Sequence, residues 1–205
     1  MTWQILDTPT RTTFLDAVKT GHEAVLFTPL TCEVKWTTLP FYHAMRLYRL
    51  TNFASMPIFT MYYVGDGTRF FYLDGTDNPL LTLESTRELK LTPGNIIAYL
   101  NFYFFAVQTE DGEIFLVKDP DSYPYQDLDT FGTTQGIMIG PNRPKYVIEL
   151  DENDSFIVDT PLFVDGTLYQ ARVLVDPHGR VRLADRHMMV PNSGTRSTTS
   201  EQLYH

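Results

Sequence analysis

"LTPGNIIAYLNFYFFAVQ" (residues 91–108) is the most apolar stretch of the chain, and its reading decides the fold. Thr92 suits an N-cap. Pro93 suits the first helical position, where the missing N–H would have no intrahelical partner anyway. On a helical wheel of about 100° per residue, Ile96, Leu100, Tyr103, Phe104 and Val107 share one face. Ala98, Phe102 and Phe105 occupy another, which leaves Gly94, Asn101 and Gln108 as a narrow polar stripe. A helix that is apolar almost all round must be covered on most sides. Asn95 and Asn101 interrupt the stretch, which is also too short to span a bilayer. The expectation is an α+β fold, a curved antiparallel sheet wrapped around one long apolar helix. By analogy it is cystatin-like or NTF2-like, an analogy that carries no function. The polar stripe then marks solvent or a pocket mouth.

Outward from the helix, strand-like runs surround it: 41–50, 57–65, 68–74, 113–119 and 145–150. Asp-Gly pairs at 66–67, 74–75, 111–112 and 165–166 predict tight hairpin turns, because Gly accepts positive φ and Asp tolerates it. Taking Asp165-Gly166 as a two-residue turn sets Val164 against Thr167. That register puts Phe156, Val158 and Leu162 opposite Val175, Val173 and Tyr169 on one face. Asp159 then lies opposite Arg172 on the other. At Pro177-His178-Gly179, a two-residue loop would push arginines onto the apolar face. A three-residue loop with left-handed Gly179 and a bulge pairs Val175 with Val181 and Val173 with Leu183. The result is a C-terminal three-stranded meander over about 155–186.

Residues 11–22 read as a short helix with Phe14, Leu15 and Val18 on its stripe and Gly21 as a stop. The Pro-, Gly- and Asp-rich segment 119–144 reads as a long irregular connection. The polar 191–205 reads as a disordered tail behind a single domain, 1–190.

The net charge of −9 argues against long-range attraction to nucleic acid or to an anionic membrane. A single cysteine, Cys32, excludes an internal disulfide framework. The N-terminus lacks a basic region followed by an apolar run, so the expected location is the cytoplasm.

Residues 91–119, preceded by "FYLDGTDNPLLTLE" (71–84), resemble a family of uncharacterised bacterial proteins. Leu91, Thr92 and Asn95 match its L-T-x-x-N helix start. Phe102, Phe104 and Phe105 match its aromatic run, and the meander after 154 is compatible. The resemblance covers mainly the middle third of the chain. It implies a shared fold and transfers no catalytic residue. "QTEDGE" stands where the family has a more basic turn.

Motifs that would carry chemistry are weak. Cys32 with His22 or His43 could form a thiol–imidazole pair, but a small buried residue near a strand is the stronger reading. Asp119, Asp121, Asp127 and Asp129 cluster without the Gly and Glu of an EF-hand. "GTTQGIMIG" (132–140) lacks the Lys-Ser/Thr of a phosphate loop. The histidines, His22, His43, His178, His187 and His205, show no zinc-ligand spacing. No metal site and no cofactor is expected. Arg180, Arg182 and Arg186, joined by Arg172, form one basic stripe on the outer face of the meander. It is either a solubilising face or a dock for an acidic partner or ligand carboxylate.

Three function classes follow. The first is a non-catalytic module that binds a protein, a peptide or a small apolar ligand. Tyr42, Tyr62, Tyr63, Tyr99, Asn101 and Tyr103 would line its cleft, with hydroxyls as polar handles. The second is an enzyme with an Asp or His base in the same pocket, which requires a buried titratable side chain. The third is an assembly protein that dimerises through a flat apolar sheet.

Overall fold

A computed structural model describes residues 2–19, 27–84, 88–117 and 147–189, and shows a mixed fold of two antiparallel sheets with few helices. The expected connection 119–144, the tail 191–205, the clustered aspartates, the glycine-containing 132–140 segment, His22 and His205 lie outside the described residues.

The first sheet is a five-stranded meander of β1 (Gln4–Ile5), β2 (Cys32–Thr38), β3 (Arg46–Asn52), β4 (Phe59–Gly65) and β5 (Phe70–Tyr72). Helix α1 (Thr8–Val18) packs on one face of it. It starts earlier than expected because Asp7, not a later residue, caps it: Asp7 Oδ1 accepts the Thr10 N–H at 2.8 Å. Strand alternation sorts the side chains. Val34, Tyr48, Leu50 and Tyr63 meet Phe14, Leu15 and Val18, while Leu47 and Val64 face the other way.

Helices α2 (Asn78–Glu84) and α3 (Ile96–Ala106) lead into the second sheet. It contains β6 (Ile114–Leu116), β7 (Val147–Leu150), β8 (Phe156–Val164), β9 (Thr167–Val175) and β10 (Val181–Met188), in the order β10-β9-β8-β6. β7 and β6 share one edge of β8 end to end, pairing with Phe156–Asp159 and Leu162–Val164 respectively.

The apolar stretch departs from expectation in length and surroundings. Helix α3 has 11 residues, no more than α1, and two sheets stand where one curved sheet was expected. The reason lies at its start. Asn95 Oδ1 accepts the Thr92 N–H at 2.8 Å, and Asn95 Nδ2 donates to the carbonyls of Lys90 (2.9 Å) and Pro40 (3.3 Å). Thr92–Asn95 therefore close a turn, and Asn95 rather than Thr92 supplies the side-chain bonds. At the other end Val107 is extended, and Gln108 donates its N–H to the Gly75 carbonyl at 2.7 Å. This contact also keeps Asp74-Gly75 from being a hairpin turn.

The helix is not covered all round either. Ile96, Tyr99, Leu100, Phe102, Tyr103 and Ala106 are buried, but Phe105 is 51% exposed and leans edge-on against Tyr62. The buried face joins Leu47 and Val64 of the first sheet to Val158, Leu162 and Val173 of the second in one hydrophobic cluster.

The meander follows the expected register. Val164 opposes Thr167, Phe156 opposes Val175, and Asp159 opposes Arg172. Asp165 and Gly166 both take positive φ, 42° and 84°, as a tight two-residue hairpin requires. At the next turn the Asp176 N–H meets the Arg180 carbonyl and the Gly179 N–H meets the Asp176 carbonyl, with Gly179 at φ 84°: a three-residue loop. Val181 then opposes Val175 and Leu183 opposes Val173. Beyond that, a bulge between Leu183 and Asp185 shifts the strand by one residue.

Candidate functional site

The β9–β10 loop does more than reverse the chain. Gly179 is buried, and the Tyr99 hydroxyl of α3 donates to its carbonyl. A Cβ on Gly179 would run into Tyr99 and Leu89, so only glycine allows the loop to approach this closely. Leu89 is held in turn by a bridge to Tyr42, and the Lys90 N–H donates to the Phe41 carbonyl at 2.8 Å. Where loop, bridge, α2 and α3 meet, they leave a cavity of about 370 Å³. That is within the range of small-molecule sites, roughly 300–1,000 Å³.

Its inner wall is tyrosyl and aliphatic: Tyr42, Tyr99 and Tyr103 with Leu80 and Leu89. Its outer wall carries Asp77, His178 and Arg180, all exposed. Tyr42 and Tyr103 are only 8% and 9% exposed. Neither hydroxyl has a hydrogen-bond partner among the described residues. Burial pushes the Tyr42 phenol well above its ordinary range. Burial, and then the negative charge of Asp77, raises that of Tyr103. Both phenols therefore stay protonated at neutral pH and offer O–H donors rather than bases.

Three of the six side chains expected to line a cleft, Tyr42, Tyr99 and Tyr103, meet in this one cavity. The others do not. Tyr62 and Tyr63 are neighbours in β4, so the pleat sends them to opposite faces. Tyr62 meets Phe105, and Tyr63 packs edge-on to Phe14 beneath α1. Asn101 is half-buried, and its amide donates to the Ile97 carbonyl at 2.7 Å inside its own helix. Gly94 and Gln108 are exposed, so the polar stripe lies toward solvent and is not the mouth of this cavity.

The basic stripe is broken up. Arg172 forms a two-pronged pair with Asp159, Nε to Oδ1 and Nη2 to Oδ2, both at 2.8 Å. The bulge after Leu183 turns Arg186 to the face of Ala171, away from Arg182. There it lies over the Tyr169 ring and pairs with Asp111 at 2.9 Å. Arg182 opposes Leu174 on the outer face. Arg180 alone enters the cavity wall.

Other expected chemistry finds no geometry here. Cys32 is buried in the cluster under α1, whereas His43 is exposed and not paired with it. Among the described residues, no three His, Cys, Asp or Glu side chains gather as a metal-binding group. Among the same residues, no helix is long and apolar enough to cross a membrane.

Sequence reading missed Asp77, Leu80, Leu89 and the 178–181 loop as partners of the tyrosines. Asp77, followed by Asn78 and Pro79, was a legible helix start: its carbonyl accepts the N–H groups of Leu80 and Leu81, both at 3.0 Å. The docking of the loop on Tyr99, 80 residues away in sequence, left no local signal. Compared with known protein families, curated proteins and solved structures, the chain matches none.

Proposed function

We propose that the protein is a non-catalytic binding module for a small, largely apolar ligand, held in the cavity between α2, α3 and the β9–β10 loop. The observation that carries this reading is the pair of hydroxyls on two largely buried tyrosines, Tyr42 and Tyr103. They border the cavity without a hydrogen-bond partner among the described residues. Each offers an O–H donor at the cavity wall, and a ligand acceptor placed there gains a hydrogen bond worth about 0.5–1.5 kcal/mol. The leucines of the wall supply apolar contact. A binding role is favoured over catalysis because the cavity's carboxylate and imidazole are exposed, while its buried titratable groups are phenols with raised pKa.

The test is saturation-transfer NMR on the full chain with a library of neutral and charged fragments. Leu81 also lines the cavity, and fragments that bind the wild type and lose their signal in Leu81→Trp support the reading. A hit set unchanged by that substitution, or an empty one, overturns it.

A further inference from the structure

The cavity's charges say more about the ligand. Asp77 precedes α2 and Arg180 precedes β10, and both residues line the same cavity. They carry opposite charges, yet they form no ion pair with each other or with any other described residue. Elsewhere on the described surface Arg69 pairs with Asp66, Arg172 with Asp159 and Arg186 with Asp111. The acid nearest Arg180 in sequence is also engaged elsewhere: Asp176 Oδ1 accepts the backbone N–H groups of His178 and Arg180, both at 2.9 Å. The Asp77 backbone carbonyl is held by the N–H groups of Leu80 and Leu81, which sets the residue at the start of α2 beside the cavity. Tyr103 lines the same cavity, and after burial the charge of Asp77 raises the pKa of its phenol.

We propose that the ligand is a small zwitterion with an apolar side chain, of the class of the aliphatic α-amino acids. Its ammonium group lies toward Asp77, its carboxylate toward Arg180, and its side chain against Leu80, Leu89 and the tyrosine rings. Two opposite charges held apart at one cavity complement a molecule with two opposite charges of its own. A simple anion would meet Asp77 unfavourably, and a simple cation would meet Arg180 unfavourably. The Tyr42 and Tyr103 hydroxyls give the carboxylate further donors. The proposal rests on reading this cavity as a ligand site.

Isothermal titration calorimetry of the full chain separates the two claims. The probes are L-leucine, N-acetyl-L-leucine (no cation), L-leucinamide (no anion) and 3-methyl-1-butanol (neither). Leucine should bind most tightly, and loss of either charge should weaken binding about tenfold, as expected for a charge-assisted hydrogen bond. Asp77→Asn should abolish the preference for leucine over its N-acetyl form. Arg180→Gln should abolish the preference over leucinamide. Both residues are exposed, so neither substitution threatens the fold. If a singly charged or neutral probe binds as tightly as leucine and Leu81→Trp blocks it, the zwitterion proposal is wrong and the cavity reading stands. If leucine binds but neither charge substitution alters the preferences, the proposal is equally overturned. If no probe binds while library fragments still report the cavity, the zwitterion alone fails. If neither set binds, both readings fail together.

Discussion

Single residues here show how much a neighbour one position away matters. Tyr62 and Tyr63 look equivalent in sequence, yet the pleat assigns one to each face of β4, and neither reaches the cavity. Thr160 is a sharper case. It is fully buried on the inner face of β8 opposite Ala171, and its hydroxyl has no partner among the described residues. Removing that hydroxyl while keeping the shape should help. Thr160→Val is expected to raise stability by about 1 kcal/mol, as measured by urea unfolding. Asp66 shows the opposite economy. Burial works against its carboxylate, but hydrogen bonds from Arg69 and Thr68 together hold its pKa far below the ordinary 3.8. A depressed folded pKa contributes stability that is present above the unfolded value and lost as pH falls through the folded one. Asp66→Asn should therefore be less stable than wild type at neutral pH. The gap in unfolding free energy should close as pH drops below 3.8, and an unchanged gap would refute the assignment.

At the scale of elements, the meander was legible because its register is over-determined. Shifting the turn at Asp165-Gly166 by one residue would move Phe156, Val158 and Leu162 out of the core. The bulge after Leu183 was not legible, since "VRLADRHM" alternates equally well without it. Only pairing with β9 shows that Arg186 has changed face and found Asp111. Strand β2 was missed although Cys32, Val34 and Trp36 alternate correctly. Its charged partners Glu33 and Lys35 disguised a strand that pairs with β1 on one side and β3 on the other. The β9–β10 loop makes the most testable claim at this scale. Gly179 is at positive φ and touches Tyr99 and Leu89, so Gly179→Ala meets both backbone strain and a clash. Stability should fall by about 1–3 kcal/mol, and the Tyr99 ring resonances should shift as the loop lifts. A silent substitution would mean that the loop is not docked.

The whole molecule depends on α3. Its buried face belongs to one cluster with side chains of both sheets, so the sheets share a core through the helix. Leu100, fully buried, sits in that cluster. Leu100→Ala should cost about 2–5 kcal/mol, and tryptophan fluorescence and far-UV circular dichroism should report one coincident transition. Trp3 packs against the cluster that contains α3 and Trp36 against the cluster under α1, so fluorescence reads both faces of the first sheet. Transitions that separate would mean the sheets unfold independently.

Local chemistry was enough to read the elements whose signals lie within a few residues. The two-residue turn, the three-residue loop at Gly179, the meander register and an apolar helix within 91–108 all follow from turn preferences and side-chain period. What tertiary structure decided is how those pieces meet. The helix is ended by Asn95 bonds to Pro40 and Lys90 and by a bridge to Gly75. Three tyrosines are gathered from a pool of six expected residues, and two charges with no ion pair among the described residues are set at the same cavity. The physical reason is range. A turn or a strand period is fixed by neighbours along the chain, whereas the cavity exists only because Tyr99 reaches Gly179 across 80 residues, and sequence pattern carries no trace of such a contact.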